Sequence, residues 1–190
     1  MNTINSDSIY QAIDHEHSRL VSRIAGLIAE KTRFTGNEVM LIESAAFLHD
    51  IGKLSIPKSI LLKPSKLTAE EYQIVQSHVL AGSRDIIRTL KILLASFIIA
   101  LQHHERIDGE GYAGVRNIHE YAKIVAVADV FEALIASNRP YKKAWPPEKA
   151  VLYMRDNSKK QFEAEYVTAL LESLDEIRCL YDSDQHKDNP

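Results

Sequence analysis

The 190-residue sequence has one cysteine, Cys179, which excludes a disulfide framework and a thiolate metal cluster. Glycine and proline are scarce, at 7 and 6 residues, and no stretch alternates apolar and polar residues convincingly enough to form a strand, so a sandwich or barrel is excluded. The longest apolar run, Ile92 to Leu101 with Ser96 inside it, is too short to cross a bilayer and reads as a buried helix. Met1 to Asp7 lacks the basic-then-apolar order of a secretory leader. A formal charge of -3 argues against general nucleic-acid binding, while leaving room for a local basic pocket that holds one phosphorylated ligand. The expectation is a cytoplasmic protein with no membrane segment.

What is present is helical periodicity. The pattern predicts an all-α, single-domain helical bundle over residues 1–182, with a polar, frayed tail at 183–190. A first helix is expected from a cap at Ser6-Asp7 to about Lys31, with Ile13, Leu20, Ile24 and Leu27 as its core stripe. His17 falls on that stripe and His15 does not. A second helix, roughly Asn37 to Ile51, would deliver His49 and Asp50 near its C-terminal end, with Gly52 ending it. Pro57 suits a first helical position, and Thr68-Ala69-Glu70-Glu71 reads as a capping box for a helix carrying His78. Ile92 to His104 forms the buried helix, and Glu105 to His119, with Gly109, Gly111 and Gly114, forms the clearest loop. Helix resumes near Glu120 and carries Asp129 through apolar surroundings until Asn138-Arg139-Pro140 breaks it. Two more helices follow, from Pro146-Pro147 to about Arg155 and from Glu163 to Tyr181.

Eight histidines are the informative excess. His17, His49, His78 and the adjacent His103 and His104 lie on four expected helices beside core positions, and Asp50 and Asp129 interrupt apolar segments. For any one histidine, a satisfied core or surface residue is the commoner case. Five of them together with two carboxylates that cannot be buried uncompensated favour a shared metal centre. Seven imidazole and oxygen donors exceed what one tetrahedral zinc requires, whereas two ions use them all if one carboxylate bridges. Asp50, next to His49, is the natural bridge. Such a pair would polarise a phosphoryl oxygen and stabilise the departing oxygen of an in-line displacement, so phosphodiester hydrolysis is chemically sensible. Lys53 would place positive charge beside the phosphate, in which case Asp50 and Lys53 are the catalytic pair; the competing reading of Lys53 is a lysine that complements a helix C-terminus. His15, His119 and His186 are read as lying outside the cluster.

The order His17, His49-Asp50-Ile51-Gly52-Lys53, His78, His103-His104-Glu105, Asp108-Gly109-Glu110-Gly111-Tyr112 and Asp129 resembles the HD-GYP family of the HD phosphohydrolase superfamily. Ile60-Leu61-Leu62-Lys63-Pro64, Val125 to Phe131 and Arg139-Pro140-Tyr141-Lys142-Lys143-Ala144-Trp145 support it, and the similarity runs from about residue 13 to 175. The resemblance implies an HD-type bundle whose metal centre hydrolyses the bacterial second messenger cyclic di-GMP to linear pGpG and onward to GMP. It implies His17, His49, Asp50, His78, His103, His104 and Asp129 as metal ligands, Lys53 as a phosphate contact, and Asp108, Gly109, Gly111, Tyr112, Arg139 and Lys142 as contacts to the cyclic dinucleotide.

Three departures modify that implication. The family's Gly-Tyr-Pro is Gly111-Tyr112-Ala113 here, which removes the ring that fixes φ. The loop from Ala113 to Glu120 is about three residues shorter than the usual pattern. Members with three metals carry a glutamate where this chain has Ile13, which cannot ligate. Two divalent ions are therefore expected, iron or manganese ahead of zinc, nickel or magnesium. An active phosphodiesterase is the leading expectation. The alternatives are a metal-bearing signalling module that contacts a partner such as a diguanylate cyclase or a sensory protein in trans, an HD hydrolase for another nucleotide, and more remotely a di-iron oxygenase.

Overall fold

The structure is a computed structural model and describes residues 15–82, 94–136 and 143–185. Among these residues there is no strand, only an isolated bridge between Ser158 and Phe162, and the expected all-α bundle is observed. The helices are α1 (His15–Glu30), α2 (Gly36–Ala46), a 3-10 helix (Ile51–Ser55), α3 (Lys58–Leu61), α4 (Ala69–Gln76), α5 (Leu94–Gln102), α6 (Glu120–Ile135), α7 (Pro147–Asp156), α8 (Ala164–Glu172) and α9 (Leu174–Gln185). Residues 78–82 are also helical. No described helix is long and apolar enough to cross a membrane.

Helix α6 is the axis. Ala122, Ile124 to Asp129, Phe131, Glu132 and Leu134 are all buried, the mark of a helix covered on every side. Helices α1, α5, α7 and α8 pack on it, while α2 packs on α1 and α5. Ile24, Ile28, Ile42, Ile99, Ile124, Phe131, Met154, Tyr166 and Leu170 make up most of the fully buried large side chains of this core.

Several expected boundaries move, each for a local reason. Helix α2 starts one residue early because Thr35 and Glu38 form a capping box. The box expected at Thr68 and Glu71 is present and opens α4. Pro57 caps α3 from just outside it. Helix α2 ends at Ala46, so His49 and Asp50 lie in the turn that follows, where the His49 N–H donates to the Ala46 carbonyl at 3.1 Å. Helix α5 likewise ends at Gln102, just ahead of His103 and His104. The last expected helix is two, divided at Ser173, whose hydroxyl donates to the Ala169 carbonyl at 2.8 Å. The expected cap at Ser6-Asp7, Ile13, His186 and the break at Asn138-Arg139-Pro140 lie outside the described residues.

Gly52 does not end a helix, as the pattern suggested. It lies in the 3-10 helix, where a Cβ would collide with the His78 carbonyl and the Gly82 amide and lie 2.8 Å from the Gly82 Cα. Two backbones touch here because both residues are glycine. That contact sets Asp50, two residues before Gly52, against His78, four residues before Gly82.

Candidate metal centre

Five segments of the chain bring the donors together. Helix α1 presents His17 on its buried face, the turn after α2 presents His49 and Asp50, and α6 presents Asp129. His78 comes from the segment locked on Gly52, and His103 and His104 from the end of α5. His17, His49, Asp50, His78, His103 and Asp129 are buried, and His104 is partly open to solvent.

The orientation of the rings is the informative feature. The Nδ1–H groups of His49, His78 and His103 donate to the carbonyls of Ala46 at 2.8 Å, Val75 at 2.7 Å and Ile99 at 3.0 Å. His17 Nδ1 is held by the carboxylate of Glu132. With Nδ1 engaged, each ring turns Nε2 toward the cavity, the arrangement that metal-ligating histidines adopt. The inward atoms meet the aspartates in two sets. Asp50 Oδ2 lies 3.3 Å from His49 Nε2 and 3.6 Å from His17 Nε2, while Oδ1 of the same carboxylate lies 3.1 Å from His78 Nε2 and 3.9 Å from His103 Nε2. Asp129 Oδ1 approaches His17 Nε2 at 3.2 Å and His49 Nε2 at 3.6 Å, and its Oδ2 lies 3.9 Å from His104 Nδ1.

Among the described residues, Nε2 of His78 and His103 and Oδ1 of Asp50 are buried without a hydrogen-bond partner. Orphaned polar atoms of this kind are costly unless something else satisfies them. Asp50, His78, His103 and His104 form one group whose donors lie within 4.8 Å of one another, and His17, His49 and Asp50 form a second. The residues fit divalent metal, and Asp50 belongs to both groups.

The electrostatics agree with a site that expects positive charge. Burial pushes the His49 imidazole down, but the charge of Asp50 and bonds to Asp129 and Asp50 outweigh it and raise the group to about 9. His17 is likewise raised against its burial by Asp129, Asp50 and Glu132. Burial favours neutral Asp50, yet Lys53 and His49 hold it ionised well below the usual carboxylate range. Asp129 is held there by His17 and His49 against the same burial. His104 is lowered to about 4, chiefly by burial. Burial, reinforced by the crowding of imidazoles around it, holds His103 well below the usual histidine range.

Above the donors opens a cleft of about 550 Å³, lined by His17, Asp50, Lys53, His103, His104 and Asp129 on its floor and by Tyr72, Gln76, Arg106, Glu110, Tyr112 and Gln161 among its walls. Lys53 pairs with Asp50 and remains partly exposed to the cleft. The Tyr112 ring lies 4.5 Å from that of His104, and its hydroxyl shares a 2.9 Å hydrogen bond with Tyr72. Asp108, Gly109 and Gly111, expected as ligand contacts, are not among the lining residues. Asp108 accepts from Arg106 Nε at 2.9 Å and from the Glu110 N–H at 3.2 Å, Gly109 turns the chain at φ 85°, and Gly111 packs against Glu105. Arg139 and Lys142 lie outside the described residues.

Two acidic residues were missed from the sequence. Glu132 is buried and holds His17; it lies one turn after Asp129 on the same helix face, in an apolar run where a carboxylate needs a partner for the same reason. Glu105, also buried, accepts the Ala113 and Val115 N–H groups at 2.6 and 2.7 Å. His119, read as a loop residue, caps α6 by accepting from the Tyr121 N–H at 3.2 Å.

The comparisons with known proteins point the same way. The HD domain family model matches residues 6–166. The chain is 43% identical over 160 residues to the cyclic di-GMP phosphodiesterase response regulator RpfG of Xanthomonas campestris, covering 80% of this chain and 41% of that protein. It is 41% identical over 190 residues to a cyclic di-GMP phosphodiesterase of Thermotoga maritima, covering 97% of this chain and 51% of the other. The chain thus spans about half the length, or less, of these curated relatives. Among solved structures, Bd1817, an HDG"Y"P protein from Bdellovibrio bacteriovorus, matches with a TM-score of 0.71 at 21% identity, over 92% of this chain and 55% of that one; that likeness concerns the fold. The family model, which spans most of the chain, shows that this chain belongs to the HD domain family.

Proposed function

We propose that this chain is a metal-dependent phosphodiesterase that hydrolyses cyclic di-GMP to pGpG, GMP or both, acting in the cytoplasm. The observation that carries the reading is the set of imidazoles whose Nδ1 atoms are engaged and whose Nε2 atoms converge on the two oxygens of Asp50 at the floor of an open cleft. Two similar proteins named as cyclic di-GMP phosphodiesterases support the choice of substrate.

In this reading His17, His49, Asp50 and Asp129 hold one divalent ion, and Asp50, His78, His103 and His104 hold a second. Iron or manganese suits this mixture of nitrogen and oxygen donors best, ahead of zinc, nickel or magnesium. When bound, the ions supply Lewis-acid polarisation of a phosphoryl oxygen and stabilisation of the charge that develops in displacement. The chain's own residues do the rest. Asp50 and Asp129 stay ionised at neutral pH and neutralise the cations, while His103 and His104 are already neutral, with lone pairs available. Lys53, partly exposed at the cleft and paired with Asp50, sets a positive charge where a phosphate oxygen would lie. Tyr112 stays a neutral hydroxyl, since burial and then its bond to Tyr72 raise it well above its ordinary range. It can therefore donate to the substrate or present its ring to a base.

The test is turnover by protein loaded anaerobically with iron or manganese, with elemental analysis alongside and products separated by chromatography. Wild-type protein should release pGpG or GMP, and His49→Ala and Asp50→Ala should lose both metal and turnover. Bound metal with no hydrolysis under any divalent loading would instead select a metal-bearing module that contacts a protein such as a diguanylate cyclase. Preference for another nucleotide would move the chain to a different HD hydrolase class.

A further inference from the structure

We infer that Glu105 is a positioning residue for substrate, and that Ala113, standing where the family pattern has proline, supplies the N–H through which it acts; this rests on the phosphodiesterase reading above. Glu105 follows the two histidines at the end of α5, so its backbone is fixed by the same segment that presents His103 and His104. The residue as a whole is 5% exposed. Each oxygen accepts one backbone N–H across the loop: Oε1 from Ala113 at 2.6 Å and Oε2 from Val115 at 2.7 Å. Hydrogen bonds to a buried carboxylate are short and strong. A proline at 113 has no N–H, so half of this clamp exists only because the residue is not proline.

The rest of the loop is fitted to the clamp. A Cβ on Gly111 would lie 2.6 Å from the Glu105 Cα and 2.8 Å from its carboxylate carbon, so only glycine lets the chain pass this close. Gly114, between the two donors' neighbourhoods, has φ 71°, which turns the Val115 N–H back toward the carboxylate. The loop's far end is tied to α5 by the His119 N–H, which donates to Gln102 Oε1 at 2.8 Å. Between Gly111 and Ala113 sits Tyr112, whose ring rests on His104 and whose hydroxyl meets Tyr72 at the cleft wall. The carboxylate therefore replaces the rigidity of a proline ring with two long-range bonds, and fixes Tyr112 over the donors before substrate arrives.

The experiment pairs amide hydrogen exchange with steady-state kinetics on metal-loaded protein. Glu105→Gln turns one oxygen into an NH₂ that faces an N–H donor. Exchange at Ala113 and Val115 should then quicken by about tenfold or more, and KM for cyclic di-GMP should rise about tenfold, with kcat within about twofold and metal content unchanged. Ala113→Pro keeps the carboxylate and deletes one donor; Val115 should stay protected and KM should rise about threefold. Unchanged exchange in Glu105→Gln, or a fall in kcat that follows loss of metal, overturns the assignment. If wild-type protein does not hydrolyse cyclic di-GMP, the phosphodiesterase reading fails. The clamp is then judged by exchange alone: slow exchange lost on substitution upholds it, and fast exchange in wild type overturns it.

Discussion

The floor and the rim of the cleft are built by different means. On the floor, His49, His78 and His103 are oriented by bonds to carbonyls three or four residues back in their own segments. Each ligand's direction is thus decided locally, and only the meeting of segments is long-range. On the rim, Tyr112 sits in a loop with no regular hydrogen bonding of its own, held by Glu105 from eight and ten residues away and by Tyr72 from α4. The floor resembles parts machined separately and then brought together; the rim takes shape only in assembly. Substitutions that separate segments should therefore destroy the floor as a unit, whereas substitutions on the rim should shift affinity in small steps.

The largest effect expected short of removing a donor comes from Gly52→Ala. The added methyl collides with backbone, the His78 carbonyl and Gly82, which cannot rotate away as a side chain could. The segments bearing Asp50 and His78 must part, and overpacking of this kind costs about 3 kcal/mol. Urea unfolding should show that loss, and metal content should fall sharply even where the variant remains folded. A variant that keeps both stability and metal would show that the glycine contact does not set the floor.

Glu132→Gln comes next. The amide can still reach His17 but no longer carries the charge that fixes the ring's tautomer and raises its basicity, and losses of this type weaken metal affinity by about 10- to 100-fold. Competition with a chelator would measure it. Glu132→Asp should recover little, because the shorter arm does not reach, whereas a purely steric role would be rescued by either residue.

The pH dependence separates the metal-free floor from the loaded one. In metal-free protein His17 and His49 are raised, so their contribution to stability is complete below pH about 6.5 and is lost as pH rises through the His49 value of about 9. Metal must displace those same protons, so its affinity climbs over that interval. The gap in Tm between loaded and metal-free protein should accordingly widen from pH 6.5 to 9. Below 6.5, His104 acts in the opposite sense: its lowered group costs the metal-free fold stability as pH falls, until about pH 4. The depressed Asp50 and Asp129 add their loss below the ordinary carboxylate range. Calorimetry with and without chelator across this range would show the two branches.

The same contrast explains what could be read from the chain. Donors on the floor announce themselves, because a histidine or aspartate in an apolar stretch needs a reason to be there, and the order of those stretches carried the family resemblance. Glu132, three residues after Asp129, meets the same criterion, but a glutamate near a helix's C-terminal end also reads as a solvated residue, and only packing against α1 buries it beside His17. The exact seats of His49 and Asp50 were not legible: the apolar pattern of α2 runs past Ala46, and only packing against the 78–82 segment turns the chain there. Nor was the task of Glu105. Its partners are backbone N–H groups, which every residue but proline carries, so side-chain chemistry leaves no trace of the pairing. Asp108, expected as a ligand contact, also has a local task that the motif did not reveal: it accepts from Arg106 and from the Glu110 N–H.

The smallest effect should come from Tyr72→Phe, which bears directly on how the rim is held. The substitution deletes the hydroxyl that meets Tyr112 at 2.9 Å while leaving the edge-to-face ring contact, with centroids 6.2 Å apart. An exposed hydrogen bond of this sort contributes about 1 kcal/mol or less, because water competes for both hydroxyls. If the Glu105 clamp already fixes Tyr112, KM should rise by no more than about threefold and kcat should stay level. A Glu105→Gln background should enlarge the effect, since Tyr72 is then the main remaining brace, and the two substitutions together should cost more than the sum of their separate costs. Strict additivity would mean that the two braces act on different parts of the loop, and the rim would then divide into independent contacts as the floor does.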